Sequence, residues 1–196
     1  MTKFQDAFRI ESTRLKEWDY SSPWWYYVTI NTNDHVEYFG KVENGEMVLN
    51  DLGKIVEDEW LKTKEIRKNV GLDYFVVMPN HVHGIIIINE TIRRYDPLGR
   101  LKQNGSIQIN KNETMQRIVS AETLKANSLG SIIGQFKSVC TKRIRYRGIT
   151  NFSWQPGYYD PIIRNERELY NIRRYIEQNP LKWDLEKSQP ENIFDL

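Results

Sequence analysis

The sequence predicts an α+β domain built on an antiparallel sheet. Three observations carry that expectation. Short aromatic and β-branched runs at 24–31, 74–78 and 82–88 alternate with segments of helical period. The last two of these runs are separated by Pro79-Asn80, turn chemistry that joins antiparallel neighbours. If the hairpin pattern at 36–50 is set aside as decoration, the order is strand, helix, strand, strand, helix, with an edge strand still to be found. That order is close to a ferredoxin-like antiparallel sheet with helices on one face, here with an additional C-terminal helix. The chain of 196 residues is long enough for one domain with a sizeable core, and 1–196 is read as a single domain.

The elements follow in chain order. "WWYYVTIN" (24–31) is aromatic and β-branched, hence a strand. Residues 36–50 place Asn44-Gly45 between two short strand-like runs, the signature of a type I′ hairpin turn. Over 50–68 the period changes: Leu52, Ile55, Val56, Trp60 and Ile66 recur at helical spacing, Asn50 or Asp51 can cap the start, and Gly71 marks the stop. Tyr74–Met78 and Val82–Ile88 form an antiparallel pair. On the second of these strands His81, His83, Ile85 and Ile87 share one face and Val82, Gly84, Ile86 and Ile88 the other. Both faces are apolar, so the strand is central. Residues 89–127 are polar and poor in aromatics and read as a long insertion. Residues 128–147 are helical, capped by Ser128, with Leu129, Ile132, Ile133, Phe136, Val139, Cys140 and Ile144 as the apolar stripe. The segment 151–165 reads as a loop with at most a short strand. The last helix spans 165–180, with Asn165 and Glu168 forming a capping box and Pro180 ending it.

Composition excludes several classes. The formal charge is +2 and 28% of residues are charged, ordinary for a soluble globular chain. No run approaches 18 apolar residues, and residues 1–23 lack the apolar core of a signal peptide, so no membrane partner is expected. One cysteine, Cys140, makes no internal disulfide; it fits a reducing, cytoplasmic compartment and a helical core position. Charge is unevenly placed. Residues 128–180 hold nine Lys or Arg against four Asp or Glu, interleaved with Phe136, Tyr146, Phe152, Trp154, Tyr158 and Tyr159. That is either a solvated basic face or an electrostatic footprint for phosphate and single-stranded nucleic acid.

The chemistry centres on "MPNHVH" (78–83). His-x-His on a strand sets two imidazoles side by side, a bidentate clamp for a divalent metal or a pair of half-buried, hydrogen-bonded histidines. On the last helix Leu169, Ile172 and Ile176 fall on one arc, Tyr175 and Asn179 lie one turn apart along its border, and Tyr170 and Arg174 face away. An Asn carbonyl is a reasonable ligand for a hard or borderline cation, and a Tyr one turn away is a possible nucleophile.

"MPNHVH" followed downstream by "WQPGYYDPIIRNERELYNIRRYIEQNP" resembles the single-tyrosine HUH transposases, and more narrowly the REP-associated tyrosine transposase group and its insertion-sequence relatives. "RLKEWDYSSPWWYYVTI" and "LGSIIGQFKS" also match the lead-in and middle helix of such proteins, so the resemblance spans nearly the whole chain, with 89–127 the least typical part. It implies a ferredoxin-like fold with the histidine pair on a central strand. It further implies that His81 and His83 hold Mg²⁺ or Mn²⁺, which polarises a scissile phosphate of single-stranded DNA. Tyr175 would attack the phosphorus, leaving a 5′-phosphotyrosine and a free 3′-OH whose rejoining makes the reaction a strand transfer. Many insertion-sequence members carry Gln four residues after the tyrosine as third ligand; this chain carries Asn179, the REP-associated pattern. The implied partner is single-stranded or hairpin DNA, the implied state a monomer or homodimer, and the implied location the cytoplasm, on the nucleoid when bound to DNA. Lys137, Lys142, Arg143, Arg145, Arg147, Trp154, Arg164, Arg173 and Arg174 are the candidate DNA-contacting residues. Two other readings stand beside this one: a domesticated nucleic-acid binder without chemistry, and a small-substrate metallohydrolase using the same His-x-His.

Overall fold

The computed structural model describes residues 14, 15, 17–90 and 127–188, with the backbone of 3, 4, 7 and 8. The polar insertion read at 89–127 therefore lies almost wholly outside the described residues. Two-residue strands β1 (Lys3–Phe4) and β2 (Ala7–Phe8) pair near the start. The main sheet has β3 (Trp24–Asn31), β6 (Val70–Val77) and β7 (His81–Ile88) in the order β3-β7-β6, all antiparallel, with β7 central as expected. Between β3 and β6 come the hairpin β4 (Gly40–Glu43) and β5 (Glu46–Leu49) and helix α1 (Asp51–Ile66). Helices α2 (Leu129–Tyr146) and α3 (Glu166–Ser188) complete the chain.

Local chemistry accounts for most boundaries. Asn44 and Gly45 both have positive φ (53° and 76°), the type I′ geometry expected of that dipeptide. Asn50 caps α1 by accepting from the N–H groups of Leu52 and Gly53, and Ser128 caps α2 by accepting from Ser131. Asn165 accepts from the Glu168 N–H at the start of α3, while Glu168 reaches back to the N–H of Arg164 (2.9 and 2.8 Å).

The expected edge strand is the segment read as a loop. Residues 154–163 run antiparallel beside β3 through isolated bridges at Thr32–Trp154, Thr29–Tyr159 and Tyr26–Ile162, with main-chain hydrogen bonds from Tyr27 to Pro161 and from Ile163 to Trp25. Pro156 and Pro161 supply no N–H donor, so the pairing is interrupted, as edge position permits. Counting this edge, the strand order is that of the ferredoxin-like arrangement.

The sheet is covered on both faces. Tyr26, Val28, Ile30, Val82, Ile86 and Ile88 pack with Ile55, Val56 and Trp60 of α1 and with the α2 stripe, including buried Cys140. The opposite face carries Tyr27 and Ile85 against Ile163 and Ile176, so α3 is the additional helix and covers the other side. Gly84 makes the first contact possible: a Cβ there would lie 2.3 Å from Trp60 Cζ2.

Two expectations are corrected. Gly71 does not end α1; the helix ends at Ile66 with Arg67 as cap, and Gly71 pairs with Ile87 inside β6. Three residues between helix and strand suffice, so β6 begins earlier than the apolar pattern at 74–78 suggests. Pro180 does not end α3, which continues to Ser188. A proline removes one helical hydrogen bond, but the following turns dock. Asp184 accepts from the Gly45 N–H (2.9 Å), and Trp183 packs on His81.

Candidate active and metal site

The pleat of β7 sends His81, His83 and Ile85 to the face covered by α3. The imidazole centroids of the pair are 4.5 Å apart at 73°. Across from them α3 presents Asn171, Tyr175, Asn179 and Trp183, each one turn after the last. The Tyr175 ring meets His83 edge-on at 5.2 Å, the buried Asn179 side chain hydrogen-bonds His81, and Trp183 lies 5.7 Å from His81. Tyr175 is 43% exposed although its ring is flanked edge-on by His83 and Tyr27. Tyr170, by contrast, is turned outward under Arg174. An open groove of about 570 Å³ lies alongside, lined by Tyr27, Thr29, His83, Tyr159, Asn171, Ile172 and Tyr175.

Behind the pair is a layer of hydrogen bonds that sequence patterns did not reveal. His83 Nδ1 lies 2.7 Å from the Tyr27 hydroxyl and 2.9 Å from Thr29 Oγ1. These partners come from β3, whose register sets Thr29 directly opposite His83. His81 Nδ1 lies 2.6 Å from Asn80 Oδ1. Tyr27 also stacks on His83 (5.6 Å, 23°) and meets Tyr175 edge-on (6.4 Å, 87°). Burial pushes His81 down to about 4, partly offset by its hydrogen bond with Asn179, and burial together with neighbouring His81 pushes His83 down to about 3. Both rings are therefore neutral at neutral pH, the form that ligates metals. Burial raises the Tyr27 phenol, which stays protonated.

Two neutral imidazoles and an amide oxygen make a donor set that suits a divalent cation. Among the described residues no group of three or more His, Cys, Asp or Glu is clustered for metal binding. Two amides meet His81: Asn80 through Oδ1 at Nδ1 (2.6 Å), and the buried Asn179 side chain.

The basic candidates are scattered. Arg143 pairs with Asp58 and Glu59 of α1, and Arg145 donates to the Phe152 carbonyl. Arg173 grips Asp73 (2.9 and 2.6 Å), in the stretch of β6 where the register with β7 shifts. Lys137 donates to the carbonyls of Gln155 and Gly157, and Trp154 is buried with its indole N–H on the Lys137 carbonyl. These groups hold the fold at least in part. Lys142, Arg147, Arg164 and Arg174 are exposed. Lys137, Lys142 and Arg145 line one groove with Trp154, beside α2 and away from the α3 face. Arg164 lines another with Trp24, at the far end of β3 from the histidines. Among the described residues no helix is long and apolar enough to cross a membrane.

No family model matches the chain. An uncharacterized protein of Haemophilus influenzae is 35% identical over 173 residues, which cover 88% of this chain and 89% of that protein. The chain belongs to that protein's family. Among solved structures, a REP-associated tyrosine transposase bound to a REP hairpin has a similar fold, with a TM-score of 0.53 over 89% of this chain and 74% of the other, at 18% identity. At that identity the likeness concerns the fold.

Proposed function

We propose that the chain is a metal-dependent single-stranded DNA endonuclease and strand transferase of the transposase type, with Tyr175 as nucleophile. One observation carries the reading: a single stripe of α3 brings Tyr175 to His83 and Asn179 to His81. A neighbour of similar fold being a tyrosine transposase bound to a DNA hairpin supports the same substrate class.

In this reading His81, His83 and Asn179 hold Mg²⁺ or Mn²⁺, whose Lewis acidity would polarise the scissile phosphate. Tyr175 Oη attacks phosphorus; the new phenolic O–P bond forms as the bond to the 3′ oxygen breaks. The phenolic proton goes to solvent, the departing 3′ oxygen takes one up from solvent and leaves as a hydroxyl, and the 5′ end stays on Tyr175 as a phosphodiester. Attack by a second 3′-OH reverses these bonds and frees the tyrosine. The groove beside Tyr175 gives the strand room, and the edge-on contacts with Tyr27 and His83 keep the phenol from swinging away.

The test is Tyr175→Phe. No hydrogen bond of the Tyr175 hydroxyl occurs among the described residues, and the ring contacts survive, so unfolding should shift by less than about 0.5 kcal/mol. Cleavage of labelled hairpin DNA with Mn²⁺ and the covalent adduct should vanish, while DNA and metal binding remain. An adduct that persists in Tyr175→Phe, or maps to Tyr158, Tyr159 or Tyr170, refutes the assignment.

A further inference from the structure

We infer that Asn80, Tyr27 and Thr29 are positioning residues that hold His81 and His83 with the proton on Nδ1, so that Nε2 is in each ring the unprotonated nitrogen with which to ligate one divalent cation. This deepens the metal reading above and rests on it for its purpose. For His81 the logic is stepwise. The Asn80 amide donates through Nδ2 to the main-chain carbonyl of His35 (3.0 Å), which fixes which way the amide faces. Its Oδ1 then lies 2.6 Å from His81 Nδ1. An amide oxygen accepts only, so that ring nitrogen must carry the proton. Asn80 is itself held, because its carbonyl accepts from the Thr32 N–H and hydroxyl (2.8 and 2.9 Å).

For His83 the argument is one of satisfaction. With its proton on Nδ1, the ring donates to Tyr27 Oη, and the Tyr27 hydroxyl is free to donate in turn to Thr29 Oγ1, with which it is hydrogen-bonded. The one donor left over is the hydroxyl of half-buried Thr29, which lines the open groove where water can accept from it. With the proton on Nε2, that N–H finds no acceptor among the described residues, since the hydroxyls both lie at Nδ1. A histidine that binds metal through one nitrogen ordinarily donates through the other, and losing that partner costs about 10–100-fold in metal affinity.

The experiment uses the full chain. Long-range ¹H–¹⁵N NMR of histidine without metal should show both rings protonated at Nδ1. In Tyr27→Phe, which keeps the ring stack, the His83 signal should move toward a tautomer mixture. Mn²⁺ affinity, followed by electron paramagnetic resonance, should fall about tenfold or more. Asn80→Ala should do the same at His81, and Asn80→Asp, which keeps an acceptor, should restore it. If Tyr27→Phe does not fold, Thr29→Val probes the same trio. A parent protein with His83 protonated at Nε2 overturns the inference. So does Mn²⁺ affinity within about twofold of the parent in both Tyr27→Phe and Asn80→Ala. If the parent binds no Mn²⁺, the metal reading fails by itself, and the tautomer spectra alone then support or refute the positioning roles.

Discussion

Replacing Gly84 by alanine places a methyl group in the contact between β7 and α1. The new Cβ would lie 2.3, 2.9 and 3.0 Å from Cζ2, Cη2 and Cε2 of Trp60, where ordinary contact is 3.4–4 Å. The indole or the strand must give way by about 1 Å in an interior packed like a crystal. Trp60 has little room to retreat: it is 1% exposed, with Phe136 edge-on at 5.3 Å and Phe75 stacked at 6.1 Å. The strand is no freer, since Gly84 pairs with Val28 on one side and Phe75 on the other. Overpacking of this kind costs about 1–3 kcal/mol. For a chain of this length that lowers Tm by about 2–12 °C. Urea and thermal unfolding followed by circular dichroism and tryptophan fluorescence measure it. In Gly84→Ala/Trp60→Phe the smaller ring relieves the clash, so the double variant should lose less stability than the sum of the single ones. A Gly84→Ala protein that melts with the parent, or a double variant that is strictly additive, would refute the reasoning. Gly84 follows His83, so a shifted strand should also weaken Mn²⁺ binding.

His81→Ala and His83→Ala should each sharply reduce Mn²⁺ affinity in a titration, with Asn179→Ala weaker in effect; a His83→Ala protein that titrates like the parent means the site is misassigned. Stability should fall with acid through the histidine pair. Both are depressed in the folded state, to about 4 and about 3, so between pH 6.5 and 4 the unfolded chain binds more protons and gains relative to the native one. Urea midpoints between pH 7 and 5 should therefore drop more steeply in the parent than in His81→Gln/His83→Gln, and parallel curves would contradict the burial argument. Hairpin DNA binding should weaken steeply with salt as phosphate counterions are released, and equal affinity for random duplex and hairpin across the series would count against the proposed substrate.

What the sequence determined by itself was local. The strand at 24–31, the Asn44-Gly45 turn, the caps at Asn50, Ser128 and Asn165 and the sorting of His81, His83 and Ile85 onto one face all follow from periodicity and short-range hydrogen bonding, which need no distant partner. The four-residue spacing of Tyr175 and Asn179 was legible for the same reason. Their meeting with the histidines was not, because it depends on α3 crossing the second face of the sheet. Nor did residue patterns show the edge at 154–163, which has no alternation and is held by main-chain bonds to β3. Local rules stop α3 at Pro180; contacts with residues 45 and 81, far away in the chain, outweigh the lost helical bond. Tyr27 and Thr29 look like ordinary strand residues until the register with β7 sets them against His83, and Arg143 and Arg173 look like free cations until Asp58, Glu59 and Asp73 meet them. Partnership across the fold is a property of three-dimensional proximity, and the energy of a buried hydrogen bond or ion pair depends on that proximity rather than on the residue type alone.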